Sequence, residues 1–293
     1  VHGSNEPWHR GRDRRSLRLG ENSAYLRVGT KRAMPMKKFE TEDSHSQPTA
    51  APAEPGRLST SSGPLRLAAT LAFAGFVVSV VAGLFHAESA SANDHPATFA
   101  EYARSGIWTA VHLGQFVGMA LLIAGLLVLL VVLKAPDGAM AWTARFGAAA
   151  AVAALALYAA LQAVDGVALK HAVDAWAAAA EPEKAARFAT AEGIRWLEWG
   201  MRSYQSFMLG AALLLTGAVV VRARRVSQLI GYLMALSGLA YVAQGWIIGA
   251  EGFSPANAIP TLAGIVLILV WTVWLLLSAW FGKDAPSREM RRG

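Results

Sequence analysis

Six stretches of this chain run for about 20 residues with almost nothing but apolar side chains, the length a helix needs to cross the hydrocarbon core of a bilayer. They are approximately Leu67 to Phe85, Ala110 to Leu133, Phe146 to Ala168, Gly200 to Val221, Leu229 to Gly249 and Pro260 to Phe281. A helix of a soluble protein buries one stripe and keeps a polar face, whereas these segments are apolar all round. The composition agrees, with 54% of 293 residues hydrophobic and 16% charged, against about a quarter charged in an ordinary soluble domain. The predicted fold is all-α, a polytopic integral membrane bundle of six transmembrane helices spanning residues 67–281. Turn signals separate the spans at Ala135-Pro136-Asp137-Gly138, at Arg222 to Ser227, and at Glu251 to Asn257 around Pro255.

Orientation follows from the basic residues of the short connections. Lys134, Arg145, Arg222, Arg224 and Arg225 fall on one side, joined by Lys283, Arg288, Arg291 and Arg292 of the tail 282–293, while the opposite side carries few. The positive-inside rule places both termini in the cytoplasm. Trp108, Trp196, Trp199 and Trp246 are expected to anchor the outer interface, and Trp142 and Trp280 the inner one. Arg outnumbers Lys and Ala is abundant, a usage that suggests a GC-rich bacterial genome and hence a bacterial inner membrane.

Residues 1–66 are a different material. They carry twelve Lys/Arg against seven Asp/Glu and a Ser/Thr/Pro/Ala-rich run from Ser44 to Pro64, with no apolar periodicity, and read as a disordered basic tail. Residues 1–33 lack any motif, so Met34 or Met36 is the expected translation start. The net charge of +7 is then a matter of topology rather than of nucleic acid: the basic excess faces anionic lipid head groups inside, and the outer face is acidic. That acidity favours a cation over an anion in any outer pocket. Ala90-Ser91-Ala92 resembles a signal cleavage site, but the preceding apolar run exceeds a signal core and is read as a retained span.

Two outer connections, 86–106 and 169–199, look structured. Asn93-Asp94 can cap a short helix with Pro96 in its first turn, running through Phe99 and Tyr102 to a stop at Gly106. The second connection reads as two short helices broken at Glu181-Pro182. Together they form either a lid or a pair of surface helices with Trp176 and Phe188 facing lipid.

Polar side chains inside spans are costly and point to function, and here they gather at one depth. Ser79, Gly83 and His86 close the first span; His112 and Gln115 open the second; Tyr158, Gln162 and Asp165 close the third. Glu192, Arg195, Glu198, Arg202 and Gln205 stripe the entry to the fourth, and Ser237, Tyr241 and Gln244 line the outer fifth. The predicted ligand pocket comprises Gln115, Gln162, Asp165, Glu198, Arg202, Gln205, Tyr241 and Gln244. His86 and His112 are the predicted metal ligands, with Asp165 as a third and Gln115 or Gln162 behind them, since imidazole suits zinc, copper and iron and two imidazoles suit haem. Competing structural roles are ion pairing of Asp165 or Glu198 with Arg202 or Arg195, and glutamines bonding helices together at Gly114/Gly118 and Gly245/Gly249.

No polar column crosses the whole bilayer thickness, which disfavours a channel or pump. Absent cysteine removes thiolate sites and disulfides, and no nucleophile elbow, P-loop or dinucleotide fingerprint occurs. The leading expectation is a small-ligand, metal or haem site open to the outside. The alternatives are a non-catalytic scaffold docking another membrane protein, and an outer-leaflet enzyme acting on lipid through Asp165 and Glu198. Nucleic acid is not an expected partner.

Overall fold

The computed structural model describes residues 62–86, 89–135 and 138–282. The tail preceding Ser62, the proposed start at Met34 or Met36, and the basic residues after Gly282 lie outside the described residues. Among the described residues, eight α-helices follow in order: α1 (Ser62–Gly83), α2 (His95–Arg104), α3 (Trp108–Leu133), α4 (Ala139–Ala163), α5 (Lys170–Ala177), α6 (Glu181–Ala223), α7 (Gln228–Glu251) and α8 (Ala258–Phe281). A π-helical turn, Val164–Leu169, welds α4 to α5, and a 3-10 turn, Pro255–Asn257, leads into α8. Six of the resulting rods are long and apolar enough to cross a membrane, so the chain is an all-helical, multi-pass membrane protein in contact with the lipid bilayer.

The connection 169–199 departs from the expected pair of separate short helices. Helix runs unbroken from Ala139 to Ala177, 39 residues, and α6 extends for 43, or roughly 65 Å at 1.5 Å per residue against a hydrocarbon core of about 30 Å. Both spans therefore project well beyond the bilayer as a helical hairpin. Pro182 does not break a helix; it sits in the first turn of α6, where a missing N–H forfeits no bond.

α2 matches its sequence signals. Asp94 caps it, accepting from Ala97 N at 3.3 Å, and Lys170 secures the other end by donating to the carbonyls of Tyr102 (3.0 Å) and Ala103 (3.1 Å) while pairing with Asp174 at 2.7 Å. α2 and the projecting ends of α5 and α6 share their own core of Phe99, Tyr102, Trp108, Leu169, Val173 and Ala191. Trp176 and Phe188 pack against this core half-buried, their rings edge-on or tilted to Phe99 (6.2 and 5.5 Å) and edge-on to one another (5.7 Å).

Below this cap the bundle closes through glycines. A Cβ on Gly75 would strike the Leu122 backbone nitrogen, and one on Gly125 would lie 2.6 Å from Ala72 N, so α1 meets α3 nearly backbone to backbone. α6 and α7 meet likewise at Gly210 against Gly238 and Gly217 against Gly231, each pair seven residues apart along its helix. Without a hydrophobic drive in lipid, such small-residue seams supply the packing. The expected close approaches at Gly114/Gly118 and Gly245/Gly249 are present, against Ala82, Ser79 and Ser203. α1 is packed as a full member of the bundle, with Arg66 donating to the Ala279 carbonyl of α8 at 3.2 Å.

Candidate functional site

Under the cap lies a cavity of about 340 Å³. Its position comes from the π-helical turn at Val164–Leu169. A Cβ on Gly166 would lie 2.6 Å from the His112 Cβ, so only glycine lets this turn of the third span come so close to α3. The widened turn is held open by α3, whose Trp108 indole N–H donates to the Asp165 carbonyl (2.8 Å) and whose Thr109 hydroxyl donates to the Gly166 carbonyl (2.8 Å). π-turns of this kind recur at functional sites, and this one aims the Asp165 carboxylate at His112.

His112 is 2% exposed. Its Nδ1 stands 2.8 Å from the Trp108 carbonyl, an acceptor only, so Nδ1 carries the ring proton. Nε2 then offers a lone pair, and it faces Asp165 Oδ2 at 3.0 Å. Two lone pairs this close require a cation between them, either a proton or a metal ion. His86 completes the group: the ligating atoms of His86, His112 and Asp165 all lie within 4.8 Å of one another. Asp165 Oδ1 is buried without a hydrogen-bond partner.

Three rings set the shape of this corner. The imidazoles of His86 and His112 are 5.2 Å apart, and the Trp108 indole packs 4.7 and 4.5 Å from them. This compact triangle leaves no slot for a porphyrin between the imidazoles, so the residues suit a bare ion and not haem. An ion bound at about 2.0–2.2 Å by N and O donors separates them by about 3.3–3.5 Å in a tetrahedron, within reach of small side-chain rotations.

Of the predicted pocket residues, Gln115, Gln162, Asp165, Glu198 and Arg202 line the cavity, as does His86. Gln205, Tyr241 and Gln244 do not. Gln244 instead ties helices together, accepting from Ser206 Oγ (3.0 Å) and donating to Thr261 Oγ1 (2.7 Å); Gln205 is wholly buried on α6; Tyr241 packs against Gly264 of α8. Tyr241 and Gln244 are turned to neighbouring helices, and Gln205, on the α6 face of Glu198 and Arg202, lies about a turn beyond Arg202 and outside the lining. Arg195 takes Glu198 as its ion partner and lies 5.6 and 5.1 Å over the rings of Tyr102 and Phe253. Arg202 lies against Tyr158, 5.9 Å from its ring, and pairs with no carboxylate among the described residues.

Several residues of the site escaped sequence reasoning. Trp108, expected at the lipid interface, is buried in the site, whereas Trp196 and Trp246 are 56% and 72% exposed. Tyr102, Thr98, Glu101 and Phe253 reach the cavity from outside the spans. The available signal was Asp165-Gly166, a pair with no reason to occur within an apolar helix unless the backbone there is used. His95 serves the cap, with Nδ1 2.9 Å from Glu192 Oε1 and its ring stacked on Phe99, and His171 is exposed.

No curated protein and no solved structure matches the chain. A family model described as a domain of unknown function (DUF4386) matches residues 67–279, from the first span to the last. The helical membrane domain, with the cavity and its π-turn inside the matched region, therefore belongs to the DUF4386 family.

Proposed function

We propose that this protein binds a divalent transition-metal ion with His86, His112 and Asp165, in a pocket open to the extracytoplasmic side of a bacterial inner membrane whose cytoplasmic face carries both termini. The observation that carries the reading is the contact between the His112 Nε2 lone pair and the Asp165 carboxylate at 3.0 Å, with a second imidazole in reach. A proton would satisfy that contact alone, whereas a metal ion would use all three donors. Around them, the Trp108 carbonyl fixes the His112 tautomer, the role such outer partners play at metal centres. Gln115 and Gln162 line the adjoining wall, where they can hold water or a ligand on the ion. The acidic outer face concentrates cations at the mouth.

Cobalt is the test ion because its visible absorption reports ligand type and geometry. Detergent-purified protein dialysed against Co²⁺ is expected to retain one equivalent and show bands of mixed N/O ligation. His86→Ala, His112→Gln and Asp165→Asn should each lose that equivalent while the helical circular dichroism stays unchanged. Wild-type protein that retains no stoichiometric ion, or the same stoichiometry in all three variants, would show that a proton bridges His112 and Asp165.

A further inference from the structure

We propose that the ligand taken by this pocket is an anionic lipid, its head group held at Arg202 and its chain lying in a groove between α3 and α4. The inference rests on the reading of the cavity as a ligand site and does not require the ion to be bound.

The first observation is a cation without a counter-charge. Arg195 is committed to Glu198, but Arg202, two turns deeper on the same face of α6 and half-buried, pairs with no carboxylate among the described residues. A guanidinium at membrane depth is costly unless matched, and its planar fork suits the paired oxygens of a phosphate or carboxylate. The cavity as a whole has three carboxylates, Glu101, Asp165 and Glu198, against Arg195 and Arg202. A divalent ion on Asp165 turns that balance to one net positive charge, so metal loading strengthens the preference for an anion.

The second observation is independent of charge. A groove of about 280 Å³, almost wholly apolar, runs between α3 and the end of α4, with Leu113, Phe116, Ala159 and Val167 along it. It opens on the flank of the bundle, where Leu113 and Val167 are 61% and 45% exposed and where, in a membrane, acyl chains run. Gln162 lines both this groove and the polar cavity. A molecule with a chain in one and a head in the other passes Gln162, whose amide can bond the polar junction. A soluble anion has no use for the groove, and a zwitterionic lipid such as phosphatidylcholine brings a cation beside its phosphate, which offsets the charge match at Arg202.

The test uses the full chain in detergent, titrated calorimetrically with short-chain phosphatidylglycerol, with phosphatidylcholine of the same chains, and with inorganic phosphate, in metal-free and Co²⁺-loaded protein. Phosphatidylglycerol is expected to bind at least about tenfold more tightly than either comparator, the difference growing with Co²⁺. Arg202→Gln should weaken it about ten- to a hundredfold. Ala163→Phe, on the exposed rim of the groove, should weaken the lipid and leave phosphate unchanged. Equal affinity for the two lipids, phosphate binding as tightly as phosphatidylglycerol, or wild-type affinity in both variants would each overturn the proposal. Lost cobalt binding with lipid selectivity intact removes the metal reading alone; retained cobalt with no lipid selectivity removes this one alone.

Discussion

Gly166→Ala tests whether the π-turn exists to let His112 approach Asp165. The added Cβ would lie 2.6 Å from the His112 Cβ and 3.0 Å from its Cγ, whereas carbon atoms rest at about 3.5–4.0 Å. Either the imidazole or the turn must move by about 1 Å. Neither is free to do so, because His112 Nδ1 is held at the Trp108 carbonyl and the turn is held by the Trp108 and Thr109 side chains. Overpacking of this size costs about 1–3 kcal/mol. Gly193→Ala is the matched control: it lies within α6 with nothing near its missing Cβ, and replacing a helix-interior glycine by alanine is worth up to about 1 kcal/mol in the opposite direction. Reversible denaturation in mixed micelles, followed by circular dichroism, gives both values, and cobalt titration of the same samples reports whether the donors have been displaced. A Gly166→Ala protein as stable as wild type, with unaltered cobalt spectra, would refute the account of the turn.

Three further outcomes follow from the packing. Lys170→Met removes the ammonium that donates to the Tyr102 and Ala103 carbonyls; the end of α2 should then exchange its amide hydrogens faster, by about 1–3 kcal/mol of lost protection, while exchange in α8 is unchanged. Gly238→Leu drives a side chain into the Gly210 carbonyl, 2.6 Å from where a Cβ would sit, and should destabilise the bundle by more than about 2 kcal/mol, read in the same denaturation assay. Gln244→Leu breaks the links to Ser206 and Thr261, each worth about 0.6 kcal/mol by the average for side-chain bonds between membrane helices; stability should fall by about 1 kcal/mol with cobalt affinity intact, which separates this glutamine from the cavity.

The helices themselves are legible because their cause is local. An apolar run of sufficient length must bury its backbone hydrogen bonds within itself in lipid, so the six spans can be placed from residue type alone, and the Asp94 cap and Pro96 of α2 likewise. The glutamines were harder. Gln115, Gln162, Gln205 and Gln244 share a type and an end of the bundle, yet only the first two line the cavity: Gln205 shares the α6 face of Glu198 and Arg202 but lies about a turn beyond Arg202, and Gln244 is turned to Ser206 and Thr261. Nothing in the chain states how far the cavity reaches along α6 or how α7 is rotated; that rotation is set by which glycine faces which carbonyl across the interface.

The class of fold, the number of spans and the gathering of histidine, aspartate and glutamine at one end can all be read from residue order alone. Those are consequences of hydropathy and of i, i+3 and i+4 spacing, which act within a segment. It took the packing of the helices to bring Trp176 and Phe188 together over Phe99, to set Trp108 against both imidazoles, and to leave Arg202 without a carboxylate partner among the described residues. The π-turn shows why: Asp165 faces His112 because Trp108 and Thr109, more than fifty residues earlier, hold two carbonyls that an isolated helix would have kept for itself.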